Sequence, residues 1–211
     1  MGWLSDVWNW VTGGSDEPTD EGFSDAPAAT PTTPCDNALS PEAAQALFDD
    51  LAAQTDIPFD YPPDCCYARA ERMSQIMTGR GIENGKAWAY AGTFGALDPT
   101  NADGSLVRFP PGTGDPVRWG YHVAPTVSVR QPDGTCRDMV MDPSLRDRPV
   151  TVEEWEGLMG GAATSASTPN DIYYRNASGS TVIRRGDLPS SERIDAPFAS
   201  HRAARDAALR P

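Results

Sequence analysis

Apolar positions along the chain recur with two different periods. Ala44, Leu47, Phe48 and Leu51 are spaced by three and four residues behind Ser40-Pro41-Glu42, an N-cap, a first-turn proline and an acidic residue; together they predict a helix from about residue 41. A second helical block runs from about Cys66 to Thr78, with Ala70, Met73, Ile76 and Met77 on its core face and Gly79 and Gly81 to stop it. Strand-like runs follow at 86–92 (KAWAYAG), 121–130 (YHVAPTVSVR) and 136–142 (CRDMVMD). Gln131-Pro132-Asp133-Gly134 reads as a turn, so the last two runs are expected to form an antiparallel hairpin. Beyond them come a helix around Trp155, a small-residue stretch at 160–169, DIYYR and TVIRR strands, and a C-terminal Ala/Arg helix. Helices first and sheet second predict the α+β class.

The N-terminal end has a different pattern. Trp3, Leu4, Val7, Trp8 and Val11 form a short apolar helical face, expected as a Trp-rich amphipathic helix over residues 1–13. It reads either as a helix docked on the domain or as a docking peptide for a delivery partner carried on residues 1–38. Residues 14–39 are rich in Gly, Pro, Ser, Thr and acid, a composition expected of a flexible linker. The folded domain is therefore expected over 40–211. Within it, prolines 58, 62 and 63 forbid a helix and hold an extended loop ahead of Cys66.

Charge sharpens this division. No Lys or Arg precedes Arg69, while residues 1–68 carry thirteen Asp and Glu; the remainder has seventeen acidic and seventeen basic residues. The net charge of −13 thus belongs to the N-terminal third and argues against a nucleic-acid partner. No apolar stretch reaches the ~20 residues of a membrane helix. The start of the chain has no basic region followed by an unbroken apolar core, which leaves secretion or delivery without a signal peptide and a cytoplasmic location both open. Cysteines stand at 35, 65, 66 and 136 and histidines only at 122 and 201, a spacing unsuited to zinc. A Cys35–Cys136 disulfide, a Cys65–Cys136 disulfide and four reduced thiols are alternatives the sequence leaves open.

Three residues suggest chemistry. Cys66 sits where the Pro-rich loop meets a helix, and unpaired backbone N–H groups at a helix start favour a thiolate. His122 opens an apolar strand just after Trp119-Gly120-Tyr121. Asp142 ends the partner strand, where the hairpin can bring it to the imidazole. Nucleophile, proton shuttle and orienting carboxylate make a thiol triad acting on an amide carbonyl. Its order on helix, strand and strand matches a papain/transglutaminase-like core, with no metal or other cofactor called for. Trp119, Tyr121, Tyr61, Cys65 and Ser144 are the candidate substrate-binding residues around it. The backbone N–H of Cys66 is the first candidate oxyanion donor; no second one is evident.

The stretches FDYPPDCCYARAERMSQIM, WGYHVAP, MDPSLRDRPVT and IYYR, in that order over roughly residues 40–180, resemble the protein-glutamine glutaminases, secreted bacterial enzymes that deamidate glutamine side chains in proteins. The resemblance implies a hydrolase that takes proteins or peptides with exposed glutamine as substrates and releases ammonia through a Cys66 thioester. It also implies His122 as base and Asp142 as orienting carboxylate. Three features depart from the family pattern. Cys65 replaces the usual glycine before the nucleophile, Glu71 replaces a histidine, and residues 95–116 form an insertion expected to shape the substrate entrance. The signal and inhibitory pro-segment of the family are not recognisable here. Transamidation, cysteine proteolysis and a non-enzymatic binding role for an inactive triad fold remain the alternatives.

Overall fold

A computed structural model describes residues 35–93 and 95–210. The expected Trp-rich helix at 1–13 and most of the expected linker at 14–39 lie outside the described residues. Helix α1 spans Pro41–Ala52 and begins as its sequence predicts, with Ser40 Oγ accepting the Ala43 N–H at 3.2 Å. Ala44, Leu47, Phe48 and Leu51 are its buried face. Burying each large apolar side chain contributes roughly 1.5–3 kcal/mol.

Helix α2, Cys66–Gly79, carries the expected nucleophile at its first position. Ala70, Met73 and Met77 are buried, while Ile76 is only half-buried at the edge of the same cluster. The chain enters this helix through Cys65, the one non-glycine among the described residues at positive φ (80°). A residue with a Cβ is strained in this left-handed region. Two contacts hold the turn: the Cys65 N–H donates to Asp64 Oδ1 at 2.5 Å, and Arg69 reaches back from the helix.

The strands are β1 (Gly85–Ala91), β2 (Arg108–Phe109), β3 (Asp115–Pro116), β4 (Tyr121–Arg130), β5 (Cys136–Val140), β6 (Val150–Thr151), β7 (Ala162–Pro169), β8 (Ile172–Arg175) and β9 (Val182–Arg184). Helices α3 (Val152–Gly157) and α4 (Ala196–Ala208) complete the set. One antiparallel sheet has the order β6-β5-β4-β1-β7, and β2-β3 and β8-β9 form two small ribbons. The class is α+β, as expected. The β4–β5 hairpin forms around the Gln131–Gly134 turn, with Thr126 opposite Val140 and Arg130 opposite Cys136. Strand β5 stops at Val140, two residues short of the expected end, although Met141 N–H still bonds Pro125 O at 2.9 Å. The small-residue stretch is strand β7, which pairs with β1 along its length.

Side chains alternate between the two faces of the sheet. Trp88, Tyr90 and Val123 join Cys66 and Ala70 on the α2 side. Ala87, Ala89, Ala124 and Val140 form the other face, covered by Trp155, Leu158 and Leu97. Residues 35–39 correct the expected linker boundary. Cys35 is bonded to Cys136, and Leu39 pairs with Val129 through N–H to Ser128 O and from Arg130 N–H, both 2.9 Å. These backbone bonds and the disulfide fasten the segment to the central hairpin, so the folded unit starts earlier than residue 40.

A buried ionic hub ties the C-terminal ribbon to α2. Glu71 accepts from Lys86 Nζ at 3.0 Å and from Arg185 Nε at 2.6 Å, while Lys86 also donates to Ile172 O at 2.7 Å. Burial would raise the Glu71 carboxyl, but Arg185 and Lys86 hold it below its ordinary range. Glu71, expected as a departure from the family pattern, is a structural clamp here.

Candidate active site

His122 is the second residue of β4 and is almost wholly enclosed. Asp142 lies just past β5, where Leu145 and Arg146 N–H both return to its carbonyl at 3.1 Å and fold the Pro143-Ser144 turn. Extrapolating the hairpin register places Asp142 diagonally across from His122 on one face, the geometry that lets cross-strand side chains meet. His122 Nε2 and Asp142 Oδ2 are 2.8 Å apart. Two further donors fix the carboxylate: Trp155 Nε1 to Oδ2 at 2.9 Å and Ser144 N–H to Oδ1 at 3.1 Å.

The electrostatics follow from that arrangement. Burial by itself would push the imidazole down, yet the Asp142 carboxylate and the Cys66 thiol beside it raise His122 to about 9. Burial would likewise raise Asp142, but His122, the Trp155 indole N–H and the more distant Arg69 charge lower it to about 2. With Nε2 committed to Asp142, Nδ1 is the remaining ring nitrogen, and it is buried without a partner among the described residues. It is the nitrogen left to take a proton from the thiol.

Aromatic packing sets the ring plane. Trp119 stacks on His122 with centroids 4.1 Å apart and planes 11° from parallel, and Trp155 lies at 5.5 Å. Trp119 is itself held by its indole N–H on Pro62 O at 2.9 Å and by backbone bonds to Leu97 of 2.8 and 3.0 Å. The 95–116 insertion therefore folds back on Trp119 and buttresses the imidazole. On the nucleophile side, Arg69 donates from Nη1 to the carbonyls of Asp64 (2.8 Å), Tyr61 (3.0 Å) and Pro58 (3.4 Å), which staples the Pro-rich loop to α2.

Residues 44–159 match a family model described as glutaminase. The chain belongs to the glutaminase family. Solved structures agree with this membership. A crystal structure of protein-glutaminase superposes with a TM-score of 0.56 at 25% identity, covering 70% of this chain and 81% of that one. The NMR structure of protein-glutaminase from Chryseobacterium proteolyticum gives 0.55 at 27%, covering 70% and 80%. A crystal structure of pro-protein-glutaminase gives 0.57 at 27%, covering 72% of this chain and 55% of that one. No curated protein matches the sequence significantly.

Within this glutaminase the candidate site residues take different places. Cys66, His122 and Asp142 are gathered at one end of the sheet. Trp119 is buried against the imidazole, so it acts on the ring more than as an open pocket wall. Tyr121 is half-buried and packs with the cluster that holds Cys66. Ser144 reaches the site through its backbone N–H on Asp142. Tyr61 packs its ring against Phe109 (4.9 Å) and His201 (5.5 Å). Cys65 is the correction: its side chain is fully buried with Leu47, Met73 and Met141, and burial pushes its thiol up to about 12, so it offers nothing to a substrate. Its left-handed backbone points its side chain into a different cluster from that of Cys66.

Sequence reasoning missed Trp155 and Arg69 as parts of the site. Trp155 was legible only as a helical apolar residue, since its bond to Asp142 depends on how α3 returns to the sheet. Arg69 had a faint signal, an arginine on the otherwise apolar flank of the nucleophile helix. Among the described residues no group of three or more His, Cys, Asp or Glu could hold a metal.

Proposed function

We propose that this glutaminase hydrolyses the side-chain amide of glutamine in proteins or peptides, with Cys66 as nucleophile, His122 as proton shuttle and Asp142 as the orienting carboxylate. The family membership supports the deamidation of protein glutamine. The observation that carries the residue roles is the 2.8 Å His122–Asp142 bond at the end of the sheet that also receives the first turn of α2. That bond leaves one imidazole nitrogen for the thiol, as a cysteine–histidine pair requires.

The thiol proton passes to His122, which the neighbouring carboxylate keeps protonated through neutral pH. Cys66 Sγ bonds to the γ-carbonyl carbon and the carbonyl π pair moves onto oxygen. Collapse of this adduct breaks the C–N bond, and ammonia departs with the imidazolium proton. A γ-glutamyl thioester remains. Neutral His122 then takes a proton from water, the hydroxide adds to the thioester, and Cys66 leaves as the second adduct collapses to glutamate. The backbone N–H of Cys66, at the start of α2 and without an intrahelical partner, donates to the developing oxyanion.

Incubation with casein tests the reaction type. Ammonia release in step with new glutamate supports deamidation. Cross-links with little new glutamate would replace the reading with acyl transfer to lysine, and new N-termini would replace it with proteolysis.

A further inference from the structure

Four tyrosines and a tryptophan crowd the sheet face that carries Cys66. Trp88, Tyr90 and Tyr121 stack on one another with centroids 6.2–6.3 Å apart, and Tyr174 meets Tyr121 edge-on at 5.7 Å. Most of their polar ends are spent on the backbone or on side chains. Tyr90 Oη donates to Arg175 O at 3.0 Å, Tyr173 Oη to Arg193 O at 3.1 Å, and Trp88 Nε1 to Thr168 Oγ1 at 2.9 Å. Tyr121 differs. Its ring is fixed on three sides, yet its hydroxyl makes no hydrogen bond among the described residues and is not sealed from solvent.

Strand geometry gives this free hydroxyl a position. Tyr121 and His122 are adjacent on β4, so their side chains project to opposite faces. The imidazole packs with Trp119 and Trp155, while the phenol packs with the cluster that contains Cys66, Trp88 and Tyr90. A carbonyl attacked by Cys66 therefore has the proton shuttle on one side and the phenol on the other. An oxyanion needs donors fixed in advance and not already bonded elsewhere. The first-turn N–H of α2 supplies one such donor, and a second has to come from outside the helix.

We infer that the Tyr121 hydroxyl is the second oxyanion donor of the thioester-forming step, binding the γ-oxygen of the substrate amide once it gains negative charge. This inference rests on the glutaminase reading of Cys66 given above. Burial, and after it the effect of Cys66, holds the phenol well above its usual range, so the O–H is kept at working pH. Tyr67 is the rival by proximity. It follows Cys66 on α2, and its ring is edge-on to Tyr173 at 5.6 Å.

Three measurements on Tyr121→Phe, with Tyr67→Phe beside it, test the assignment. Tyr121→Phe keeps the ring and its stacking, and an unchanged thermal midpoint verifies the fold. On a glutamine-containing protein its kcat is expected to fall ~10²-fold or more with KM little changed, the loss typical of one oxyanion donor. A glutaminyl-mimic peptide aldehyde, whose hemithioacetal oxygen sits where the oxyanion forms, is expected to bind more weakly by a similar factor. Alkylation of Cys66 by iodoacetamide, which builds no oxyanion, is expected to keep its rate and pH profile. Full activity in Tyr121→Phe, a matching loss in alkylation, or a kcat loss confined to Tyr67→Phe would overturn the assignment. Failure of the underlying reading looks different: wild-type enzyme releases no ammonia, or Cys66→Ala still does.

Discussion

Trp155 Nε1 donates to the same Asp142 oxygen, Oδ2, that holds His122, at 2.9 Å against 2.8 Å for the imidazole. The indole thus fixes which carboxylate lone pair remains for histidine, and its ring also lies beside the imidazole. Trp155→Phe keeps an aromatic in the core but deletes the N–H. Its kcat/KM is expected to drop ~10-fold or more, while stability falls by about 1–3 kcal/mol, as for one hydrogen bond lost from a buried charged group. Steady-state kinetics paired with chemical denaturation measure both; an unchanged kcat/KM would remove Trp155 from the site.

The carboxylate is what lifts His122 to about 9. Because the folded value lies above the ordinary 6.5, the imidazolium persists past neutrality and is lost as pH rises through about 9. Activity that needs this proton for the ammonia leaving group is expected to fall on the alkaline side near that pH. The stabilisation from the pair has the same upper limit: it is complete below about 6.5 and lost through about 9. Asp142, lowered to about 2 from 3.8, sets the acid limit below that of ordinary carboxylates. In Asp142→Asn the carboxylate's upward pull is gone and burial is opposed by Cys66 alone, so the alkaline limb moves to lower pH, and kcat falls by roughly 10³–10⁴-fold, as when a triad carboxylate is neutralised. A pH–rate profile with its limb still near 9 would contradict this origin.

The Cys35–Cys136 bond closes a loop with a sequence separation of 101 residues. Constraining a loop of that length stabilises a fold by ~2–5 kcal/mol. Deleting residues 1–34 keeps this bond and is expected to leave deamidation intact. Deleting 1–38 removes Cys35 and is expected to lower the denaturation midpoint, with activity retained where the protein stays folded. Equal midpoints for the two truncations would show that residues 35–38 contribute nothing to stability.

Glu71 is fully buried among Lys86, Arg185 and Arg193, with side-chain distances of 3.0, 2.6 and 4.0 Å. Removing one partner of a buried ion pair leaves uncompensated charge and costs about 3–5 kcal/mol. Glu71→Gln is expected to lose that much in urea denaturation. A change below 1 kcal/mol would mean that the ribbon is not held through this hub.

The parts of the fold that read clearly from sequence were those set by local rules. Ser40 and Pro41 start α1, and the Gln131–Gly134 turn makes the β4–β5 hairpin, because capping and turn chemistry are decided within a few residues. The same hairpin made His122 and Asp142 a plausible pair before any coordinates. Residues 162–169 carry no apolar alternation, and their strand conformation comes from pairing with β1, a partner some eighty residues away. Trp155 and Arg69 were obscure for a similar reason: each acts on the site through a tertiary hydrogen bond. The inward turn of Cys65 depended on its positive φ, which residue type does not announce.

The central claim, that Cys66 converts protein glutamine to glutamate, is tested most directly by mass spectrometry of a protein substrate after exposure to wild type and to Cys66→Ala. Each site should gain ~1 Da with wild type, from replacement of an amide NH₂ by OH, and none with Cys66→Ala, since the thioester cannot form. The same mass gain with Cys66→Ala, or none with a folded wild-type protein, would contradict the account.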